Sequence, residues 1–173
     1  MEDEEYLDIV DRNDKVVGRD TRNNIWKRGL EHNVRVVNIF VLNAENKILL
    51  PTRSMKKKIF PGCYDFSCGE HVRSGESYLE AAKRGLNEEL SIKEAKIQEL
   101  GKMTPKDGVG CFAMVYRVDI ADDIGEFNKQ EIDKLEWLDV VTITAMAKAH
   151  PENFKRGILE TITKFSALLR KIH

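Results

Sequence analysis

Glu88 and Glu89 are adjacent carboxylates, and Arg84 stands four residues before the first of them, inside the segment GEHVRSGESYLEAAKRGLNEELSI from Gly69 to Ile92. Adjacent acids repel one another unless a cation stands beside them. On a helix Arg84 and Glu88 form an i, i+4 pair, while Glu88 and Glu89 lie about 100° apart and can converge on one oxygen-loving cation at the helix edge. Mg²⁺ suits that arrangement, because it takes carboxylate, carbonyl and water oxygens and is commonly shared with phosphate oxygens. Mn²⁺ is the alternative ion. Without a cation the same residues are only a solvated, charged helix face.

The elements that must hold these groups are legible on either side. Ser77 with Glu80 three residues later is a capping box. Leu79, Ala82, Leu86 and Leu90 then follow at helical spacing, which predicts a helix from about Tyr78 to about Glu89, packed through Leu79, Ala82 and Leu86. Upstream, Tyr6 to Val17 reads as a hairpin turning at Asp11 to Asp14, and Thr21 caps a short helix through Lys27. Val34 to Leu42 and Lys47 to Leu50 read as paired, buried strands, and Tyr64 to Ser67 as a short strand running into Gly69. Downstream, Ala95 to Met103, Cys111 to Ile120 and Ile132 to Val140 are strand candidates. Thr142 to His150 and Asn153 to Ile172 read as helices divided at Pro151. Strands and helices mixed in this order suggest an α/β fold, an α/β/α sandwich around a mixed sheet.

Composition bounds the function. The chain has 173 residues, 42% hydrophobic, with 28 basic and 29 acidic side chains. That length predicts one domain, with an N-terminal hairpin and short helix over 1–32, a core over 33–141 and C-terminal helices over 142–173. A formal charge of −1 leaves no general field to hold nucleic acid or an anionic membrane. Cys63, Cys68 and Cys111 are an odd set without metal-finger spacing, which fits reduced thiols. The start, Met1-Glu2-Asp3-Glu4-Glu5, is acidic where a secretory signal is basic, so a cytoplasmic protein is expected.

The acidic segment resembles the box of the Nudix hydrolase superfamily, G-x5-E-x7-R-E-U-x-E-E-x-G-U with U aliphatic, and Glu76, Arg84, Leu86, Glu88, Glu89 and Ile92 fall in register with it. Phe60-Pro61-Gly62 upstream, and Glu131 with Trp137 downstream, are similar to the family's flanking strands. The resemblance implies a Nudix-like α/β/α sandwich and Mg²⁺-dependent hydrolysis of a small diphosphate compound, a nucleoside diphosphate linked to another moiety. It implies Glu88 and Glu89 as metal ligands together with the Gly69 carbonyl, and Glu131 as a further metal-bound carboxylate. Arg84 and Glu89 take the catalytic places, with Arg84 orienting the carboxylates. The implied partner is the small-molecule substrate, with no nucleic acid or membrane; a homodimer is left open.

Three positions depart from the box. Glu70 stands at its first Gly, but a carbonyl ligand at Gly69 survives any side chain at 70. Ser91 replaces the late Gly, where a positive φ can be required. Gly85 replaces the Glu of R-E, a metal ligand and in several members the general base. Losing such a base costs about 10² to 10⁴ in rate, so Gly85→Glu is expected to raise turnover at least about tenfold. Glu70, Glu126, Glu131 and Asp133 are the replacement bases on offer. The alternative is a Nudix fold that binds a ligand or partner without turnover, for which Gly85 is the main argument.

Glu5 to Gly18, the His32 region and Gly69 to Gly75 also resemble the Nudix branch that includes isopentenyl diphosphate isomerase. His71 and Glu89 match ligand positions of that branch. Its catalytic Cys position holds Gly69, with Cys68 one residue early, and two later Glu positions hold Val109 and Cys111. The groups that would move protons on an alkene are therefore missing, which places isomerase activity behind hydrolysis. Arg53 with Lys56, Lys57 and Lys58 forms a basic loop able to collect a diphosphate.

Overall fold

A computed structural model describes residues 4–170 of the chain. Tyr6–Val10 (β1) and Val16–Thr21 (β2) pair as the expected antiparallel hairpin. Thr21 caps Arg22–Lys27 (α1), its hydroxyl accepting from the Asn24 N–H at 3.3 Å. Arg35–Leu42 (β3), Ile48–Arg53 (β4), Cys68–His71 (β5), Ile97–Met103 (β6), Phe112–Asp119 (β7) and Ile132–Leu138 (β8) form a mixed sheet in the order β6-β7-β3-β4-β8, with β5 also on β3. Tyr78–Leu90 (α2) packs on one face, where Ala82, Leu86 and Leu90 meet Val37, Ile39 and Val41 of β3. Val140–Ala149 (α3) and Ile158–Leu169 (α4) pack on the other, against Phe40, Leu42 and Val115. Strand β3 is buried from both sides over Val37 to Leu42, which explains a composition that is apolar there except at Asn38. The result is the α/β/α sandwich, and no helix among the described residues is long and apolar enough to cross a membrane.

The sheet opens at one place. β3 runs parallel to β7 along one edge, from Arg35↔Phe112 to Leu42↔Asp119. Its other edge is shared, with β5 paired over Val36 to Ile39 and β4 joined only at Leu42↔Ile48. Between those contacts β4 and β5 diverge, and backbone groups would be left unpaired. Ser67 fills the gap, since its buried hydroxyl accepts from the Val41 N–H at 2.8 Å and donates to the Leu49 carbonyl at 2.6 Å. The split is the cleft described below.

The N-terminal hairpin is fixed over this cleft by Asp14. Its carboxylate accepts from Arg35 at 2.6 Å, from the Tyr78 hydroxyl at 2.9 Å and from Lys102. These partners belong to β3, α2 and β6, so one acid ties three elements to the hairpin.

Several boundaries differ from the sequence expectation, each for a local reason. The short strand before the acidic helix begins at Cys68 rather than Tyr64, because Asp65 takes the Phe66 N–H with its own carboxylate and Tyr64 makes only isolated bridges to Thr52 and Phe154. Leu79 is 41% exposed instead of packed, and the buried stripe of α2 runs through Ala81, Ala82, Gly85, Leu86 and Leu90. The last helix starts at Ile158, not Asn153, after a turn at Pro151–Asn153 and the left-handed Gly157 at φ 94°. Residue 172, its expected end, lies outside the described residues.

Ser91 caps α2 with φ 56°, the left-handed conformation that the late Gly of the box would accept without strain. Ser91→Gly should therefore stabilise the fold by about 1 kcal/mol. For a chain of this size that corresponds to a rise of about 2–4 °C in melting temperature, read by thermal denaturation followed by circular dichroism.

Candidate active site

The cleft between β4 and β5 holds a cavity of about 460 Å³. Glu70 and the Gly69 backbone reach it from β5, Glu89 from the end of α2, and Glu131 from the residue before β8. Arg53, Lys57 and Lys155 face the same space, and Val34, Val36, Phe66, Val109 and Ala113 add apolar lining. The cavity thus offers both charged groups and apolar surface to a ligand.

At Gly85, α2 packs tightly against β5. A Cβ added there would lie 2.5 Å from Glu70 Cγ and 2.9 Å from Cys68 Sγ. The space that a side chain at 85 would enter is thus filled by the side chain of Glu70. Relative to the box, position 85 lacks a carboxylate and position 70 carries one, on neighbouring elements. This overturns the expectation for Gly85→Glu: with Glu70 in place, a longer side chain at 85 has no room.

Arg84 holds Glu70 where it is. Its guanidinium donates to Glu70 at 3.1 Å, to Glu76 at 2.8 and 3.0 Å, and to the His71 carbonyl at 2.8 Å, with Glu88 at 3.5 Å. Against burial, which disfavours its charge, the bonds to Glu76 and Glu70 raise the Arg84 pKa further. Burial, then the charge of Glu70 and a hydrogen bond to it, then Asp65 and Glu131, push the Glu89 carboxyl well above the usual carboxylate range. The shift favours the protonated form of Glu89, and a nearby cation would oppose it.

The carboxylates are not closed into a cage. Among the described residues no group of three His, Cys, Asp or Glu side chains is already arranged to hold a metal. What favours a cation is the chemistry of the donors: clustered carboxylates and a backbone carbonyl, hard oxygen ligands of the kind Mg²⁺ takes. Lys57 sits on Glu131 and Lys155 lies 3.3 Å from Asp65, so ammonium groups neutralise part of this charge.

Of the residues singled out from the sequence, Gly69, Glu89 and Glu131 line the cavity, and Arg84 stands behind it. Glu88 is outside its lining, with its side chain 46% exposed against Arg84. Asp133 accepts from the Met55 N–H at 3.0 Å and Glu126 is exposed, so neither faces the cleft. Of the basic loop only Arg53 and Lys57 enter; Arg53 is held at 2.6 Å by Asp65.

His71 lines the cavity as a neutral imidazole, its pKa brought down to about 3 by burial and then by Arg22, Lys155, Arg84 and Lys57. Burial pushes the Cys68 thiol well up, with Glu89 and Glu70 adding to it, and Cys111 up to about 11, so neither is a nucleophile. Sequence reading missed Arg22, Trp26, Asn38, Lys155 and Arg156, all in the lining. None carries a local motif, since they come together from three separated stretches, α1, β3 and the turn before α4.

Comparisons with known proteins agree with the fold. The NUDIX domain model matches residues 32–159. An uncharacterized Nudix hydrolase of Nostoc sp. is 43% identical over 141 residues, covering 80% of this chain and 82% of that protein. An isopentenyl-diphosphate Delta-isomerase of Serratia proteamaculans is 28% identical over 156 residues, covering 87% and 86%. A crystal structure from Deinococcus radiodurans superposes with a TM-score of 0.84 at 33% identity, covering 92% of this chain and 98% of that one.

Proposed function

Because the chain belongs to the Nudix family, we propose that it hydrolyses a small, nucleoside diphosphate-linked compound with Mg²⁺ or Mn²⁺, and that Glu70 takes the role of the carboxylate absent at Gly85. The observation that carries this reading is that Glu70 fills the space beside Gly85 and lines the cleft with its carboxylate. A chain that had simply lost turnover would have no reason to fill that space with an acid held by Arg84.

Glu70, Glu89 and Glu131 with the Gly69 carbonyl would hold the metal, and Glu88 joins them if it leaves Arg84. Bound there, the cation would supply charge neutralisation on the diphosphate oxygens and lower the pKa of the attacking water. Arg84 positions Glu70 by their direct hydrogen bond. Glu70 and Glu89, both in the cavity lining, are the groups suited to receive a proton from water. Arg53, Lys57 and Lys155 are the donors suited to grip phosphate, as each is already paired with an acid at the rim and can exchange that partner for an anion of the substrate.

Isomerase chemistry is less well supported. Gly69 offers no thiol, Cys68 is fully buried with a raised pKa, and Val109 and Cys111 line the cavity without carboxylates. Three free cysteines fit a reducing compartment, consistent with a cytoplasmic enzyme.

A panel of nucleotide and prenyl diphosphates tests the reading, with phosphate products followed in Mg²⁺ and then in excess chelator. Hydrolysis in Mg²⁺ that stops on chelation is the expected result; no product from any compound would refute it. A second expectation follows from Glu89. Mg²⁺ binding should release protons, seen as a buffer-dependent enthalpy in calorimetry, and should tighten as pH rises because the proton and the cation compete for one carboxylate.

A further inference from the structure

Phe60 holds a backbone conformation unsuited to its side chain. Among the described residues, four that are not glycine have a positive φ. Asp14 and Asn46 sit in the turns that join β1 to β2 and β3 to β4, where short polar side chains are tolerated, and Ser91 caps α2. Phe60, at φ 51°, is bulky and precedes Pro61, which normally keeps its predecessor extended. A residue stays in such a conformation only where its surroundings fix it, and strain of this kind collects where ligands are clamped.

The fixing contacts centre on Arg53. Its Nε donates to the Ile59 carbonyl at 3.1 Å, its backbone carbonyl accepts from the Gly62 N–H at 3.0 Å, and its own N–H donates to the Cys63 carbonyl at 2.9 Å. Both flanks of Phe60 are thereby tied to a residue whose side chain lines the cavity. Ile59 and Phe60 line it as well, yet Ile59 is 49% and Phe60 38% exposed, and neither packs into the hydrophobic clusters on the two faces of the sheet. The strained turn therefore places apolar side chains where the cavity meets solvent, and the core gains nothing from them.

We infer that Phe60 is a specificity-determining residue whose ring, with the Ile59 side chain, covers the organic group carried by the diphosphate. An aromatic face gains from contact with a flat or apolar group, whether a nucleobase or an alkyl chain, and a bare phosphate offers it no such surface. Because the contacts to Arg53 fix the turn beforehand, little ordering of this segment is left to oppose binding. This inference rests on the diphosphate reading and assigns a contact to the organic half of that substrate.

The test is equilibrium binding in EDTA, where no turnover enters, with inorganic pyrophosphate as the reference and ADP, CDP, isopentenyl diphosphate and geranyl diphosphate as organic probes. The wild type should bind at least one organic probe more tightly than pyrophosphate, the nucleotide and prenyl arms showing which group Phe60 covers. Phe60→Ala should weaken that probe by about 3–10-fold, the size of one aromatic contact, and leave pyrophosphate unchanged. Phe60→Gly should show the same loss of affinity, yet melt about 2–4 °C above Phe60→Ala, because glycine accepts φ 51° without strain. At an unstrained position the order is reversed, with alanine the more stable. A wild type that prefers no organic probe to pyrophosphate, including one that binds neither, overturns the inference, as does a folded variant with an unchanged ratio or a glycine variant that melts below the alanine one. Failure of the hydrolase reading looks different: organic diphosphates bind with the Phe60-dependent ratio, yet Mg²⁺ yields no phosphate.

Discussion

Glu89→Gln is expected to lower Mg²⁺-dependent diphosphate hydrolysis by about 10²–10⁴-fold, the range associated with losing a positioned acid or base, and to weaken Mg²⁺ binding as well. The size follows from where Glu89 stands. It stands near the end of α2 in the cleft, where burial and the charge of Glu70 favour its protonated form. Glutamine keeps the shape but can neither give up a proton to a cation nor accept one from water. The proton release on Mg²⁺ addition should therefore shrink in the variant. Unchanged Mg²⁺ affinity in calorimetry would remove Glu89 from the metal site.

Much of this site was legible before the structure because its signals are local. The capping box at Ser77 and the spacing of Ala82, Leu86 and Leu90 place α2, and α2 places Glu89. The positive φ suspected at Ser91 is present, since a helix end imposes it regardless of distant contacts.

What was not legible depends on close approach between separate elements. Gly85 reads as a missing catalytic group along the chain. Across the α2–β5 contact it reads as the space that Glu70 needs, with 2.5 Å between Glu70 Cγ and a Cβ at 85. No helical or strand period reports a distance between positions fifteen residues apart on different elements. The same holds for Lys155, which enters the cavity because Gly157 delays α4, and for Arg22 and Trp26, which enter because Asp14 fastens the hairpin to β3, α2 and β6. Leu79 went the other way. It satisfies the helical period but is exposed, because the small residues Ala81 and Gly85 carry α2 onto the sheet instead.

The exchange between Glu70 and Gly85 is the central claim, and a four-member cycle tests it most directly: wild type, Glu70→Gly, Gly85→Glu and the double variant, all assayed for phosphate release in Mg²⁺ on the best substrate of the panel. Glu70→Gly removes the carboxylate and should lose about 10²-fold or more. Gly85→Glu drives a second side chain into occupied space and should lose a comparable factor, with an overpacking cost of about 1–3 kcal/mol in stability. Together they exchange the carboxylate from strand to helix and remove the overlap with Glu70, leaving only the 2.9 Å approach to Cys68 Sγ to be relieved by a small shift, and should recover activity to within about tenfold of wild type, which is strong coupling between two neighbouring sites. A Gly85→Glu enzyme as active as wild type, or a double variant no better than either single one, would contradict the account.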